Sequence, residues 1–177
     1  MNKKLKMKHD QIIKPILLII FLCFPLSFVN SAEKNHIFSF YSGIFDVIDK
    51  EKDEQTSLLG FEHNNSDLFK DTFLGRFSPI SGGFITQKNS IYLYTGVQTQ
   101  YELGPLKITP SFAPGYYEKG NGKDLGSVLE FKSEIKIGFD ILKGAKVDFA
   151  YSHISNNEWG DKNPGVDNQT ISFSKNF

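Results

Sequence analysis

Between Val128 and Ile141 the chain alternates: Leu129, Phe131, Ile135, Ile137 and Phe139 take one parity, and Glu130, Lys132, Glu134 and Lys136 take the other. Successive side chains on a strand point to opposite faces, so this stretch carries one apolar and one charged face. A second stretch sets Ile91, Leu93, Val97, Tyr101 and Leu103 against Tyr92, Tyr94, Gln98, Gln100 and Glu102. A third sets Leu106, Ile108, Phe112 and Tyr116 against Lys107, Thr109, Ser111 and Ala113. Less regular strands are predicted at 36–47, 56–63 and 73–86, where Pro79 and Gly82-Gly83 predict a bend or bulge. Segments 145–156 and 168–177 complete a count of about eight.

The chain of 177 residues opens with Lys3, Lys4, Lys6, Lys8 and Lys14, followed by an apolar run from Ile16 to Val29 and then Asn30-Ser31-Ala32. A basic region, an apolar core and a small-residue exit are the parts of a secretory signal peptide, so cleavage is expected after Ser31 or Ala32. The run is broken by Pro25 and is shorter than the roughly 20 residues of a spanning helix. Residues 1–32 are therefore expected to be the leader and 33–177 a single domain. Cys23 lies inside the leader, which leaves no cysteine for a disulfide or a thiol nucleophile. The formal net charge is zero, and no nucleic-acid partner is expected.

Even-numbered strands of about ten residues after an export signal are the pattern of an all-β, eight-stranded antiparallel transmembrane barrel of the outer membrane. The sheet must close, because hydrocarbon satisfies no free edge. Eight strands leave an interior that side chains fill, with Glu130, Lys132, Glu134, Lys136, Gln98 and Glu102 as the expected polar plug. With both ends in the periplasm, the odd connections are expected to be generally longer than the even ones. The turns at Leu103-Gly104-Pro105 and Leu142-Lys143-Gly144 are tight, and residues 49–55, 117–125 and 156–168 form longer polar loops. The second connection, 64–71, is long for its side; a short helix there, or different strand boundaries, would account for it. The chain closes on Phe177 behind the alternating Ile171 and Phe173, the form of signal read by the outer-membrane assembly machinery.

Strand parity places Tyr151, His153 and Ser155 together on the face that carries Val147 and Phe149. A base and a hydroxyl then share the apolar face, at the outer end of the seventh strand. Asp167 joins that face if the final strand begins without a bulge. Ser155 as nucleophile, His153 as base and Asp167 as the group orienting the imidazole make an ester-hydrolysis set. The Asn156 side chain and the Gly165 backbone N–H are candidate oxyanion donors. The bland alternative is an interfacial histidine among ordinary turn residues, and spacing alone does not exclude it. His36 and His63 are expected to be ordinary interface or surface residues, and no metal or cofactor is expected. Trp159, the single indole, is expected to anchor a loop or touch acyl chains.

His153-Ile154-Ser155-Asn156, followed by Asn163-Pro164-Gly165-Val166-Asp167, resembles the motif and downstream loop of the PagL-type lipid A 3-O-deacylases. Tyr94-Thr95-Gly96, Pro110-Ser111-Phe112, Gly115-Tyr116-Tyr117 and the run from Asp124 to Phe131 extend the likeness over most of the exported chain. The resemblance implies an outer-membrane esterase that removes the 3-O-linked acyl chain of lipid A within lipopolysaccharide. It matches Ser155 to the nucleophile, His153 to the base, Asn156 to the oxyanion hole and, more weakly, Gly165 to a backbone donor. The family's best-known members carry Glu where this chain has Asp167, one methylene shorter; Glu158 is the reserve acid.

Two rivals stand beside this enzyme: an inert structural or adhesive barrel, and a soluble periplasmic barrel whose apolar face points inward. Cell fractionation separates the soluble one. The protein is expected to stay with the outer membrane until detergent is added, and release by osmotic shock alone would exclude a membrane barrel.

Overall fold

The computed structural model describes residues 35–48 and 54–177. The basic and apolar opening segment and its expected cleavage point lie outside the described residues. The elements are β1 (His36–Phe45), β2 (Thr56–Asn65), β3 (Lys70–Thr72), β4 (Gly75–Thr86), β5 (Ile91–Thr99), β6 (Tyr101–Leu103), β7 (Leu106–Glu118), β8 (Leu129–Leu142), β9 (Ala145–Ser155) and β10 (Val166–Asn176). There is no helix among the described residues.

All pairings are antiparallel and run β2-β1-β10-β9-β8-β7-β5-β4, with β2 also paired to β4. The sheet therefore closes. The short β3 prolongs the wall of β2 along β4, and β6 prolongs β5 along β7 without a change of register, so the ring has eight walls. The first and last strands seal it through Ile37↔Asn176 to Ile44↔Gln169.

The alternation sorts the side chains as the sequence predicts. Phe40, Leu59, Ile85, Leu93, Phe112, Ile135, Ile137, Phe149 and Ile171 are exposed on the outer surface, as a lipid-facing belt requires. Inside, the lower lumen is polar. Glu62 is gripped by Lys136 and lies 3.7 Å from Lys132, and it accepts the Tyr94 hydroxyl at 2.8 Å. Glu134 bridges the same two lysines at 3.2 and 3.6 Å. The Lys132 ammonium lies 3.9 Å above the Tyr94 ring, and Asp148 pairs with Lys146 at 2.9 Å. Charges out of water are tolerated only when paired and hydrogen-bonded in this way. The upper lumen, under the external loops, is instead an apolar cap of Phe45, Leu58, Phe84, Tyr92, Tyr117, Leu125, Ile154 and Val166.

Room for the large rings comes from glycines on facing strands. A Cβ at Gly60 would lie 2.2 Å from the Tyr41 ring, and one at Gly82 would lie 2.8 Å from the Tyr94 hydroxyl. That is what Gly82 does in β4, which pairs without a break on both sides, so the predicted bulge is absent. The irregularity falls instead between Asp140 and Leu142 of β8.

Of the two accounts of the long second connection, different strand boundaries hold and a helix does not: β3 folds back on β4 through Thr72↔Gly75, leaving Phe73-Leu74 as a tight turn. Two further expectations are corrected. The third connection, between Thr86 and Ile91, is as short as the even-numbered ones, because Ser90 closes it through bonds to both Thr86 and Lys119. Glu102 has lumen parity but lies exposed beyond the plug. His36 and His63 do face outward, and they contact each other, Nδ1 to Nε2 at 2.8 Å, beneath the ring of Phe38.

The plug makes a stability prediction. Glu62→Leu leaves two buried ammonium groups to share the one carboxylate of Glu134 and is expected to destabilise the barrel by about 3–5 kcal/mol. The lipid-facing Ile137→Leu is expected to cost less than about 1.5 kcal/mol. Urea unfolding from lipid vesicles measures both, and equal midpoints would show that the ion network is not what holds the lumen.

Candidate active site

Strand β9 climbs outward with Phe149, Tyr151, His153 and Ser155 on the outer face and Ala150, Ser152 and Ile154 buried in the lumen. Its partner β10 begins at Val166, two residues earlier than the sequence pattern suggests. Asp167 is therefore within the strand, directly across from His153, with Gln169 across from Tyr151. No bulge intervenes. Side chains so placed have their Cβ atoms about 4.5–5.5 Å apart, close enough for an aspartate to reach an imidazole.

The contact is made. Asp167 Oδ1 lies 3.0 Å from His153 Nδ1, and the Tyr151 hydroxyl donates to the same oxygen at 2.7 Å. A carboxylate only accepts, so in the neutral ring Nδ1 carries the hydrogen and Nε2 presents its lone pair. On that side stands Gly165, with φ at 60°, where an added Cβ would lie 2.9 Å from Cε1 and 3.3 Å from Nε2 of His153. Glycine suits this backbone conformation, and the missing side chain leaves the room that the ring occupies.

Ser155 is half-buried on the same outer face, across from Phe131 of β8. Among the described residues its hydroxyl has no hydrogen bond to His153. Two residues along a strand separate the backbones by about 6 to 7 Å, so closing that last contact is left to side-chain rotation. Glu158, the reserve acid, is an exposed loop residue at φ 62° with no contact to His153 among the described residues. The shorter acid is the one in reach.

Asn156 is where the structure departs most from the sequence-based assignment. Its side chain is fully buried under the loops, and Nδ2 donates to Leu125 O at 2.7 Å and Lys162 O at 2.8 Å. Both amide hydrogens are then occupied, which leaves none for an oxyanion outside. Its role is to clamp the loop 119–128 to the loop 156–165. The same junction holds the Asp161 N–H on Gly126 O at 3.2 Å and the Asn156 N–H on Asn163 Oδ1 at 3.0 Å. Above it, Asp124 sits between Lys119 and Lys162 at 3.3 and 3.5 Å. The Gly126 N–H donating to Asp124, aided by these two ammonium groups, holds its carboxyl below the usual carboxylate range.

Beside Ser155 the outer face is aromatic. Phe131 stacks on Phe112 with ring centres 6.0 Å apart, and the Trp159 ring meets Phe131 edge-on at 5.2 Å. The sequence reading missed this ledge, because its three members come from β7, β8 and the last loop. It also missed the Tyr151 hydroxyl, having counted Tyr151 only as a large outward residue. Nothing in the spacing distinguishes a ring whose tip bonds to a neighbouring strand.

Fold and site together define a bacterial outer-membrane β-barrel that carries an acid–imidazole pair and a serine on its outward face. The model of the lipid A 3-O-deacylase (PagL) family matches residues 55–176, well over half of the chain, and the chain belongs to that family. Among solved structures, a crystal structure of the outer membrane enzyme PagL superposes with a TM-score of 0.58 at 19% identity, covering 78% of this chain and 98% of that one. Neisserial surface protein A superposes with a TM-score of 0.54 at 10% identity, covering 80% and 97%. A de novo designed transmembrane β-barrel reaches 0.57 at 8% identity, covering 84% and 100%. At such identities these three speak for the barrel alone. No curated protein matches the sequence.

The two acids are separable by substitution. Asp167→Asn is expected to lower kcat for ester hydrolysis by about 10²–10⁴-fold, since the imidazole loses the partner that sets its tautomer. Glu158→Gln is expected to leave it unchanged. The reverse order in a detergent-micelle assay would move the orienting role to Glu158.

Proposed function

We propose that this barrel is an outer-membrane esterase that hydrolyses the 3-O-linked acyl chain of lipid A. The family supports the substrate class, and one observation carries the mechanism: Asp167 and His153 are in contact on the lipid-facing wall, with Ser155 next along the same strand. A lumen filled by Glu62, Lys132, Glu134 and Lys136 leaves no passage for an acyl chain, so the ester is met from the outer leaflet.

In this mechanism His153 Nε2 takes the Ser155 proton as Oγ attacks the ester carbonyl. The bond from the acyl carbon to the sugar oxygen then breaks, and the sugar hydroxyl leaves with the proton held by His153. Water, deprotonated by the same nitrogen, frees the fatty acid from the acyl-serine. The short Ser155–His153 contact forms when the ester is bound, as catalytic hydrogen bonds commonly tighten only in the complex. Gly165, which borders Nε2, is the remaining member of the expected oxyanion pair, and its backbone N–H is the donor assigned here. The ledge of Phe112, Phe131 and Trp159 supports the acyl chain along the barrel wall.

Mass spectrometry of lipid A from cells producing the wild type or Ser155→Ala tests this. Wild-type cells are expected to lose the mass of one ester-linked acyl chain, and Ser155→Ala cells to keep it. Identical lipid A in a host with that ester, from two proteins folded in the membrane, would leave the inert barrel as the better reading.

A further inference from the structure

Glu130 is the odd member of the charged face of β8. Lys132, Glu134 and Lys136 join the ion network below it, whereas Glu130 has no ion pair among the described residues. It is fully buried near the apolar cap, and its Oε2 has no partner. The nearby charges are engaged elsewhere. Lys132 lies on Glu62 and Glu134, and Lys123 is 2.6 Å from Asp46. The Tyr92 hydroxyl donates to the main-chain oxygens of Glu130 and Ala113, not to the carboxyl.

Among the described residues the carboxyl is approached within hydrogen-bond range by the side chain of Asn156, whose Nδ2 is 3.4 Å from Oε1. Phe131 pairs with Ser155, so Glu130 and Asn156 occupy the next position up the same two walls, both turned inward. Asn156 Nδ2 has two hydrogens, and both already lie on the Leu125 and Lys162 carbonyls. The 3.4 Å approach therefore carries no third hydrogen. Asn156 Oδ1 is likewise buried without a donor. Two adjoining buried side chains each lack a hydrogen, and an ionised carboxylate has none to give.

We propose that Glu130 is kept as the neutral acid, that its O–H donates to Asn156 Oδ1, and that it thereby acts as a positioning residue for Ser155. The carboxyl proton supplies the hydrogen missing from this junction and leaves no lone charge in the cap. Asn156 is then held at every polar atom: its N–H by Asn163, its amide by two loop carbonyls, and its Oδ1 by Glu130. Ser155 is bonded directly to this fixed residue, so the direction of its hydroxyl toward His153 depends on the clamp. The positioning role rests on the esterase reading above, whereas the clamp does not.

The full-length chain, folded in detergent micelles, tests both parts with two readouts: kcat and KM on lipid A, and the rate of tryptic cleavage after the exposed Lys162. Glu130→Met keeps the volume and removes the donor. It is expected to lower kcat by about tenfold with KM little changed, and to speed the cleavage. Glu130→Gln offers an amide hydrogen in place of the acid's and is expected to restore both. A Met variant equal to the wild type in both readouts, or a Gln variant as damaged as Met, overturns the proposal. Should Glu130→Met fail to reach the heat-resistant folded form, Glu130→Asp, which keeps the proton and loses the reach, is expected to show the same losses. An inactive wild type would sink the esterase reading, while the cleavage rates would still decide whether the clamp exists.

Discussion

The buried contact between Glu62 and its two lysines sets the terms for the rest of the molecule. Eight walls enclose a space that must be filled, and filling it with charge is tolerable only because each lysine is paired, with Glu62 across the lumen and with Glu134 on its own strand. Tyr94 and Tyr41 extend the network, and facing glycines make room for their rings. A lumen packed this way is filled by its own side chains, which leaves the outer surface as the face for the proposed chemistry.

The outer surface is hydrocarbon-facing over most of its height, so a polar site is affordable only near the rim. His153 and Ser155 lie at the loop end of β9, beyond Phe149 on the same outward face. Because Asp167 occupies the rung directly opposite His153, the pairing itself brings carboxylate and imidazole into contact, and Tyr151 adds a second donor to the same oxygen. The two groups are set by a ladder of main-chain bonds, which is stiffer than a loop.

Much of this was legible beforehand because a strand's period of two is a strong signal when one side is lipid. The outward parity of His153 and Ser155 and the lumen parity of the β8 charges follow from alternation, whereas Asp167 joins the outward face because β10 begins at Val166 without a bulge. Where alternation is silent, the expectations slipped. The Gly82-Gly83 pair suggested a bulge, yet Gly82 vacates space for the Tyr94 ring from the next wall. The stretch from Lys70 to Thr72 hid the continuation of a wall, since three paired residues leave too short a pattern to recognise.

Asn156 marks the boundary between the two kinds of information. Its place after Ser155 is a fact of the chain and suggested an outward donor. Its direction is a fact of the fold: one step further along β9 the parity turns inward, and carbonyls from two loops, distant in sequence, close on its amide. The sequence by itself determined which residues face lipid and which face the lumen, because that depends only on the geometry of each strand. Tertiary structure alone decided which polar atoms meet, because hydrogen bonds between walls and loops depend on register and closure, which no single strand encodes.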